Sequence, residues 1–403
     1  MSVEVDLDAH RSHCFSIQPT TGIPAVFSAN RFTSLCPAPV SYPTRCLAGS
    51  RLMTFSALDL ADFGWTDFFA SQCASNDDAV PVRVLAVHRG AVRIAGPGLD
   101  TTIPPFVGEA DDEEAVATVG DWLLLDPRTG RPRRLLRRRS VFKRRAAGTG
   151  RSLQLIAANV DTLFIVSSCN QDFNVARLER YLALAREADV TPLVVLTKSD
   201  LAESPASFVD AAVGLLPDLV VRVLDARMPD DVAALAPWCT RGRTIALIGS
   251  SGVGKSTLIN TLTGSGAIAT QGIRAGDDKG QHTTTGRTLH RLPMGGWLMD
   301  TPGMRELQLS DVRAGLDDVY SDIVALAGAC RFGDCRHDSE PGCAVRAAID
   351  AGTLDDDRLR RWRKLIAEEA HNTESLAQRR ARSRAFGKMA RRVMKDKRTR
   401  WQD

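Results

Sequence analysis

From about residue 160 the apolar residues come in short, nearly unbroken runs separated by stretches of helical period. This is the pattern of parallel strands buried on both faces and alternating with amphipathic helices. The runs TLFIVSS (162–168), PLVVLTK (192–198), LVVRVL (219–224), TIALIGS (244–250) and GWLMDTP (296–302) are five predicted strands. Between the first two, ARLERYLALAREA sets Leu178, Tyr181, Leu182 and Ala185 on one helical stripe. A doubly wound α/β domain is predicted. Residues 80–145 differ: VRVLAVHRG, AVRIAG, ATVGDWLLLD and PRRLLRRRSVF are short alternating runs cut by turn residues, the pattern of a small β-barrel. Before them, MTFSALDLADFGWTDFFAS opens at Met53 and reads as a short helix with a Trp–Phe anchor. Beyond about residue 310 the chain turns helical and charged, and a helix starting near Asp356 buries Leu359, Trp362, Leu365 and Ile366.

The predicted organisation is multi-domain: a disordered extension (1–52), a barrel (53–148), an α/β domain (149–310), a helical region (311–375) and a basic tail (376–403). Residues 1–52 are rich in Ser, Pro, Thr and Ala without sustained periodicity, and Met53 is an alternative start. A length of 403 residues calls for two or three cores, and 44% hydrophobic with 25% charged residues is the balance of a globular protein. No apolar run is long enough for a membrane helix, and the N-terminus lacks a secretory pattern, so a cytoplasmic protein without a membrane partner is expected.

The net charge of +4 conceals two basic runs. Residues 127–145 hold ten Lys/Arg and no acid, and residues 379–400 hold eleven against Asp396 alone. Two such runs flanking one core tilt toward a polyanionic partner.

The strand at 244–250 leads into GSSGVGKST, which fits G-x-x-x-x-G-K-[ST]. Gly249, Ser250, Ser251, Gly252, Val253 and Gly254 would wrap phosphates with backbone N–H groups. Lys255 would meet the β/γ oxygens, Ser256 would ligate Mg²⁺, and Thr257 would continue into the helix. The helix N-terminus adds a positive end. MDTPGMRE supplies Asp300 as a magnesium-side carboxylate and Gly303 for the γ-phosphate, while KGQHTTTGR offers Thr283, Thr284 or Thr285 as the switch threonine, with Thr284 assigned to Mg²⁺ and to catalysis beside Lys255. In TKSD, the Asp200 carboxylate can accept from guanine N1–H and N2–H, and the Lys198 stem can lie along the ring, with Thr197 and Ser199 completing the loop. GTPases usually carry Asn at the Thr197 position; a hydroxyl there can still tie this loop to the phosphate loop. After VVRVL, DAR (225–227) stands where S-A-K is usual, leaving the Ala226 N–H for the guanine O6.

The base reader therefore precedes the phosphate loop, the reverse of the ordinary order. A sheet tolerates such a permutation when old termini lie close and the new cut falls in a surface connection. The second switch is then expected to run straight into the C-terminal region rather than being held at both ends by the α/β domain. In that region Cys330, Cys335, His337 and Cys343 form C-x4-C-x-H-x5-C, a set suited to one tetrahedral, structural Zn²⁺.

Together these motifs resemble the RsgA/YjeQ family of circularly permuted GTPases that depend on the small ribosomal subunit. The resemblance runs from about Met53 to about residue 370, on VGDWL, NVDTLFIV, NQDFNVARLERYL, TKSDL, GSSGVGKSTLIN, GQHTTT, DTPGMRE and CRFGDCRHDSEPGCAV. It implies an OB-fold barrel, a permuted G domain and a zinc-binding helical domain. It further implies a monomer that binds the pre-subunit and its rRNA late in maturation and hydrolyses GTP to GDP when docked, slowly when alone. The alternative is a non-catalytic RNA-binding scaffold with a vestigial nucleotide site. Met304 stands where Ras-like GTPases place a water-orienting Gln. The resemblance points to His282 as its replacement; otherwise the ribosome supplies the group.

Overall fold

The computed structural model describes residues 58–74, 78–88, 90–108, 114–145, 153–264, 287–300, 304, 307 and 309–373. The expectations for residues 1–57, for the switch segment 279–286 with His282 and Thr283–Thr285, for Gly303 and for the basic tail lie outside these residues.

A 3-10 turn, Leu60–Phe63, opens on a reciprocal cap in which the Asp59 and Asp62 carboxylates accept from each other's backbone N–H; α1 (Asp67–Ala70) follows. Five antiparallel strands come next: β1 (Val80–His88), β2 (Ala91–Gly96), β3 (Leu99–Ile103), β4 (Trp122–Leu125) and β5 (Pro132–Leu135), paired in the order β3–β2–β1–β4–β5. Their inward residues, Val82, Val84, Val92, Ile94, Leu123 and Leu125 among them, form one apolar cluster. A hairpin of β6 (Val141–Arg145) and β7 (Leu153–Ala158) then spans the 148/149 boundary expected from sequence.

The α/β part comprises β8 (Thr162–Ser168), α2 (Val175–Glu187), β9 (Thr191–Thr197), α3 (Pro205–Val213), β10 (Val220–Val223), α4 (Pro229–Ala233), β11 (Thr244–Ile248), α5 (Lys255–Thr263), β12 (Arg287–Arg291) and β13 (Trp297–Asp300). The sheet order is β10–β9–β8–β11–β13–β12, parallel except for β12, which runs antiparallel to β13. The chain builds outward from β8 to β10 and then resumes at β11 on the other side. The topological switch therefore falls between β8 and β11. The stripe of α2 packs as its period requires: Leu178, Leu182 and Ala185 are buried, Tyr181 is half-buried, and the Asn174 side chain caps the helix by accepting from the Arg177 N–H. Four helices follow among the described residues: α6 (Arg313–Val319), α7 (Ser321–Gly328), α8 (Ala344–Asp350) and α9 (Asp356–Thr373). On α9, Leu359 and Leu365 are buried, with Trp362 and Ile366 partly so.

Strand β1 is also joined to β12 through Ala86↔Thr288 and Val87↔Arg287, making the first five strands continuous with the central sheet. The Arg83 guanidinium, 1% exposed, seals this seam by donating to the Phe63 carbonyl, the Asn159 carbonyl and the Thr244 hydroxyl. Burial, with the Arg139 charge adding to it and Asp161 and Asp121 opposing, pulls its pKa down to about 10. Phe63 stacks on Trp297 at 5.6 Å, and the Trp297 indole donates to the Asp62 carbonyl at 2.7 Å.

The C-terminal helices pack against the α/β part. Helix α6 lies directly on α2. An added Cβ at Gly315 would strike the Ala183 carbonyl, so this glycine permits the close backbone approach, and the Glu187 carboxylate accepts from the Gly315 N–H at 2.9 Å. Helix α9 is fixed to α2 through Glu179, which is fully buried and accepts from Arg358 at 3.2 Å and Arg361 at 2.7 Å. Arg180 pairs with Glu368 and Arg186 with Asp318 along the same contact. Within the second-switch segment, Met304, Leu307 and Leu309 are buried in the main core.

Candidate nucleotide and metal sites

The carboxyl ends of β8, β9, β10, β11 and β13 share one edge of the sheet, where an open α/β fold receives its ligand. The Gly249–Thr257 loop leaves β11 beside the switch point and enters α5 with Gly254 at its N-cap. Gly249 passes so close to the Val166 carbonyl of β8 that an added Cβ would collide with it, and Gly254 holds φ 92° where α5 begins. Lys255 is 7% exposed, and its ammonium donates to the carbonyls of Gly249 (2.8 Å) and Ser250. The lysine therefore lies inside the loop it would serve. Ser250, Ser256 and Thr257 are half-buried, Ser251 and Gly252 exposed, and Val253 is buried beneath the loop.

Three further strand ends lie along the same edge. Thr197 ends β9, and its hydroxyl lies 2.6 Å from the Val253 carbonyl, joining the TKSD segment to the phosphate loop as a side-chain tie. Lys198 adopts the left-handed region at φ 57°, which turns the chain sharply and starts the 3-10 turn Ser199–Leu201 bearing Asp200. The DAR segment after β10 is held by α5: the Thr261 hydroxyl donates to the Ala226 carbonyl at 2.7 Å. Asp300 ends β13, the parallel neighbour of β11, so a carboxylate and the Ser256 hydroxyl come from adjacent strand ends. Such hard oxygen donors suit Mg²⁺. The structure thus brings Thr197, Lys198, Ser199, Asp200, Ala226, residues 249–257 and Asp300 to one edge.

Sequence reasoning passed over Arg227. Its guanidinium bridges Asp225, at 2.6 Å, and Asp200, at 2.8 Å. The signal was present as an acid and a base two residues apart in D-A-R. Glu179 was passed over too; an acid within the apolar stripe of α2 was its signal.

The second cluster joins the end of α7, the following loop and the start of α8. Ligand atoms of Cys330, Cys335, His337 and Cys343 all lie within 4.8 Å of one another. Cys330 Sγ and Cys343 Sγ are each 3.5 Å from His337 Nδ1 and 3.9 Å from one another. Tetrahedral zinc with Zn–S of about 2.3 Å and Zn–N of about 2.0 Å requires S···S near ~3.8 Å and S···N near ~3.5 Å. The donor set fits that ion. The Glu340 carboxylate braces the loop by accepting from the N–H groups of Arg336, Asp338 and Ser339. Those bonds, Arg336 foremost, hold its pKa down at about 2.

The basic run at 127–145 is largely committed to the fold. Arg133 pairs with Asp78 and Asp126, Arg138 with the buried Asp121, Arg139 with Asp161 and Lys143 with Glu114. Arg128, Arg131, Arg134 and Arg137 are exposed. Helices of the described residues are all too short or too polar to cross a membrane.

Residues 135–310 match the family profile described as RsgA GTPase. A Mesorhizobium japonicum protein named small ribosomal subunit biogenesis GTPase RsgA is 51% identical over 329 residues, covering 80% of this chain and 93% of its own. A Vibrio parahaemolyticus protein, small ribosomal subunit biogenesis GTPase RsgA 2, is 47% identical over 345 residues, covering 85% and 95%. Among solved structures, YjeQ from Thermotoga maritima aligns with a TM-score of 0.54 at 21% identity, over 72% of this chain and 98% of that one. YloQ, described as a circularly permuted GTPase, aligns at 0.50 and 20% identity, over 74% and 97%. With the TKSD loop before the Gly249–Thr257 loop in the chain and both on one sheet edge, this is the circularly permuted GTPase fold, and the chain belongs to the RsgA GTPase family.

Proposed function

We propose that this chain is a GTPase that binds the small ribosomal subunit and hydrolyses GTP to GDP and phosphate during late maturation of that subunit. The observation that carries the reading is the tie of the Asp200 loop to the Lys255 loop through Thr197, with Asp300 ending the strand next to β11. Asp200 would read N1–H and N2–H of guanine, with the Ala226 N–H at O6. The 249–257 backbone and Lys255 would hold the phosphates. Ser256 and Thr284 would hold Mg²⁺, which supplies charge neutralisation on the β- and γ-oxygens when bound. Gly303 would meet the γ-phosphate.

Met304 is buried in the core, so its thioether serves packing rather than water positioning. His282 is proposed to orient the attacking water once docking brings it to the nucleotide, so slow turnover of the free protein is expected. The β3–β2–β1–β4–β5 order supports reading residues 53–148 as an OB-type barrel with an rRNA-facing role. The Cys330/Cys335/His337/Cys343 set would hold one structural Zn²⁺ in the 311–375 domain. The protein is proposed to act in the cytoplasm as a monomer.

The test is single-turnover GTP hydrolysis with and without purified small subunits, for wild type and His282→Ala. Subunits should accelerate the wild type. The variant should bind GTP nearly as well yet lose the acceleration. Equal turnover with and without subunits overturns the docking-dependent reading, and normal acceleration of the variant removes His282 from it.

A further inference from the structure

Asp200 and Arg227 lie on separate loops after β9 and β10, and both are accessible, with side chains 33% and 64% exposed. An ion pair this exposed contributes little to stability, so its geometry calls for another purpose. Arg227 is locked from one side: its Nε lies 2.9 Å from Asp225 Oδ1, its Nη2 lies 2.6 Å from Asp225 Oδ2, and its backbone N–H donates to the same carboxylate at 2.9 Å. Asp225 is anchored in turn, its N–H donating to Asp231 of α4 at 2.9 Å, and the intervening Ala226 is pinned by Thr261 of α5. From this fixed frame Nη2 reaches Asp200 Oδ2 at 2.8 Å.

We propose that Arg227, held by Asp225, is a specificity-determining residue that positions the Asp200 carboxylate for the guanine edge. The proposal rests on the reading of Asp200 as the base reader. N1–H and N2–H point in parallel, so both carboxylate oxygens must lie in the ring plane at once. Asp200 sits on a short 3-10 turn with its side chain a third exposed, so without a tether it can take several rotamers. A carboxylate oxygen carries two lone pairs, so Oδ2 can hold Arg227 through one and receive the base through the other, while Oδ1 remains available. Arg227 cannot follow a rotating carboxylate, because Asp225 grips it through a two-point fork. The tether removes unproductive Asp200 rotamers before the nucleotide arrives.

Calorimetric titration of the full chain with GDP, IDP and ADP tests this, on wild type, Arg227→Ala and Asp225→Asn. Hypoxanthine keeps N1–H and lacks the 2-amino group, so it needs one oxygen where guanine needs two. Freezing one side chain is worth about 0.5–1.5 kcal/mol, so both variants should bind GDP roughly two- to tenfold more weakly. IDP affinity should change much less, shrinking the GDP preference over IDP. A parallel fall for both nucleotides would show a merely structural loop contact and overturn the proposal. Unchanged GDP affinity would overturn it as well, and tighter GDP binding would show that Arg227 competes with the base. A wild type that fails to distinguish GDP from ADP would instead refute the guanine site itself. Thermal melting confirms that each variant is folded.

Discussion

The central sheet carries an added body at each flank, and the two attachments are built from different materials. Toward the N-terminal strands the attachment is continuous sheet, through β1 and β12, sealed by Phe63 on Trp297 and by a buried cation, Arg83, whose partners are neutral oxygens. Toward the C-terminal helices it is helix on helix, with a buried anion, Glu179, gripped by Arg358 and Arg361. Arg358 also stacks over Tyr320 at 4.8 Å and pairs with Asp322, tying α6, α7 and α9 together at one point. The first attachment makes β1–β5 a continuous extension of the sheet whose edge carries the Gly249–Thr257 loop. The second joins a shared apolar core, in which Leu316, Val319, Leu359 and Leu365 cluster with Leu178 and Leu182, to this group of buried charges. A load on the C-terminal region would reach the switch through α2 and α6.

The largest difference should appear on removing the zinc proposed for Cys330, Cys335, His337 and Cys343. Structural zinc contributes on the order of 10 kcal/mol to folding. Cys335→Ser, or chelation, should therefore bring backbone hydrogen exchange in α7 and α8 close to solvent rates while β1 and β11 stay protected. Uniform loss of protection on both flanks would mean the two attachments fold as one.

Next comes Glu179→Ala. Removing one member of a buried pair strands the other charges at a cost of about 3–5 kcal/mol. Urea unfolding should show that loss, with zinc content kept. Arg83→Met sharpens the contrast, because it leaves only neutral acceptors unsatisfied and should cost about 1–3 kcal/mol. An Arg83 variant more damaging than the Glu179 variant would reverse the assignment of which flank depends on charge.

The smallest effect is acidic. The hydrogen bond from Arg241, with the Asp59 N–H and the Arg291 charge adding to it against the opposing effect of burial, holds Asp62 at about 2, below its ordinary value of 3.8. A depressed carboxylate stabilises the fold above the unfolded value and loses that contribution as pH falls from about 4 toward about 2. Asp62→Asn should flatten the acid limb of thermal stability in that window at the N-terminal flank. An unchanged limb would show that the Asp62–Arg241 pair contributes nothing measurable.

The strands that bear the site were legible because they are buried on both faces: TLFIVSS, PLVVLTK and TIALIGS are apolar nearly throughout. RTLHR was not, since β12 buries Leu289 and exposes His290 and Arg291, leaving no alternation to read. LDTTI of β3 was hidden by polar residues in the same way. The phosphate loop, TKSD and the four metal-type ligands stood out because their chemistry dictates spacing. Arg227 and Glu179 did not. Each acts on a partner distant in sequence, Asp200 for one and Arg358 and Arg361 for the other, and only the fold brings them together.

The central claim is that nucleotide state and subunit docking are coupled, and coupling free energy is reciprocal between the two sites. The most direct measurement is the affinity of the full chain for purified small subunits, with a non-hydrolysable GTP analogue and with GDP, at one fixed salt concentration. Tighter binding in the triphosphate state is expected, with the difference narrowed in Glu179→Ala. Equal affinities in the two nucleotide states of the wild type would contradict the coupling.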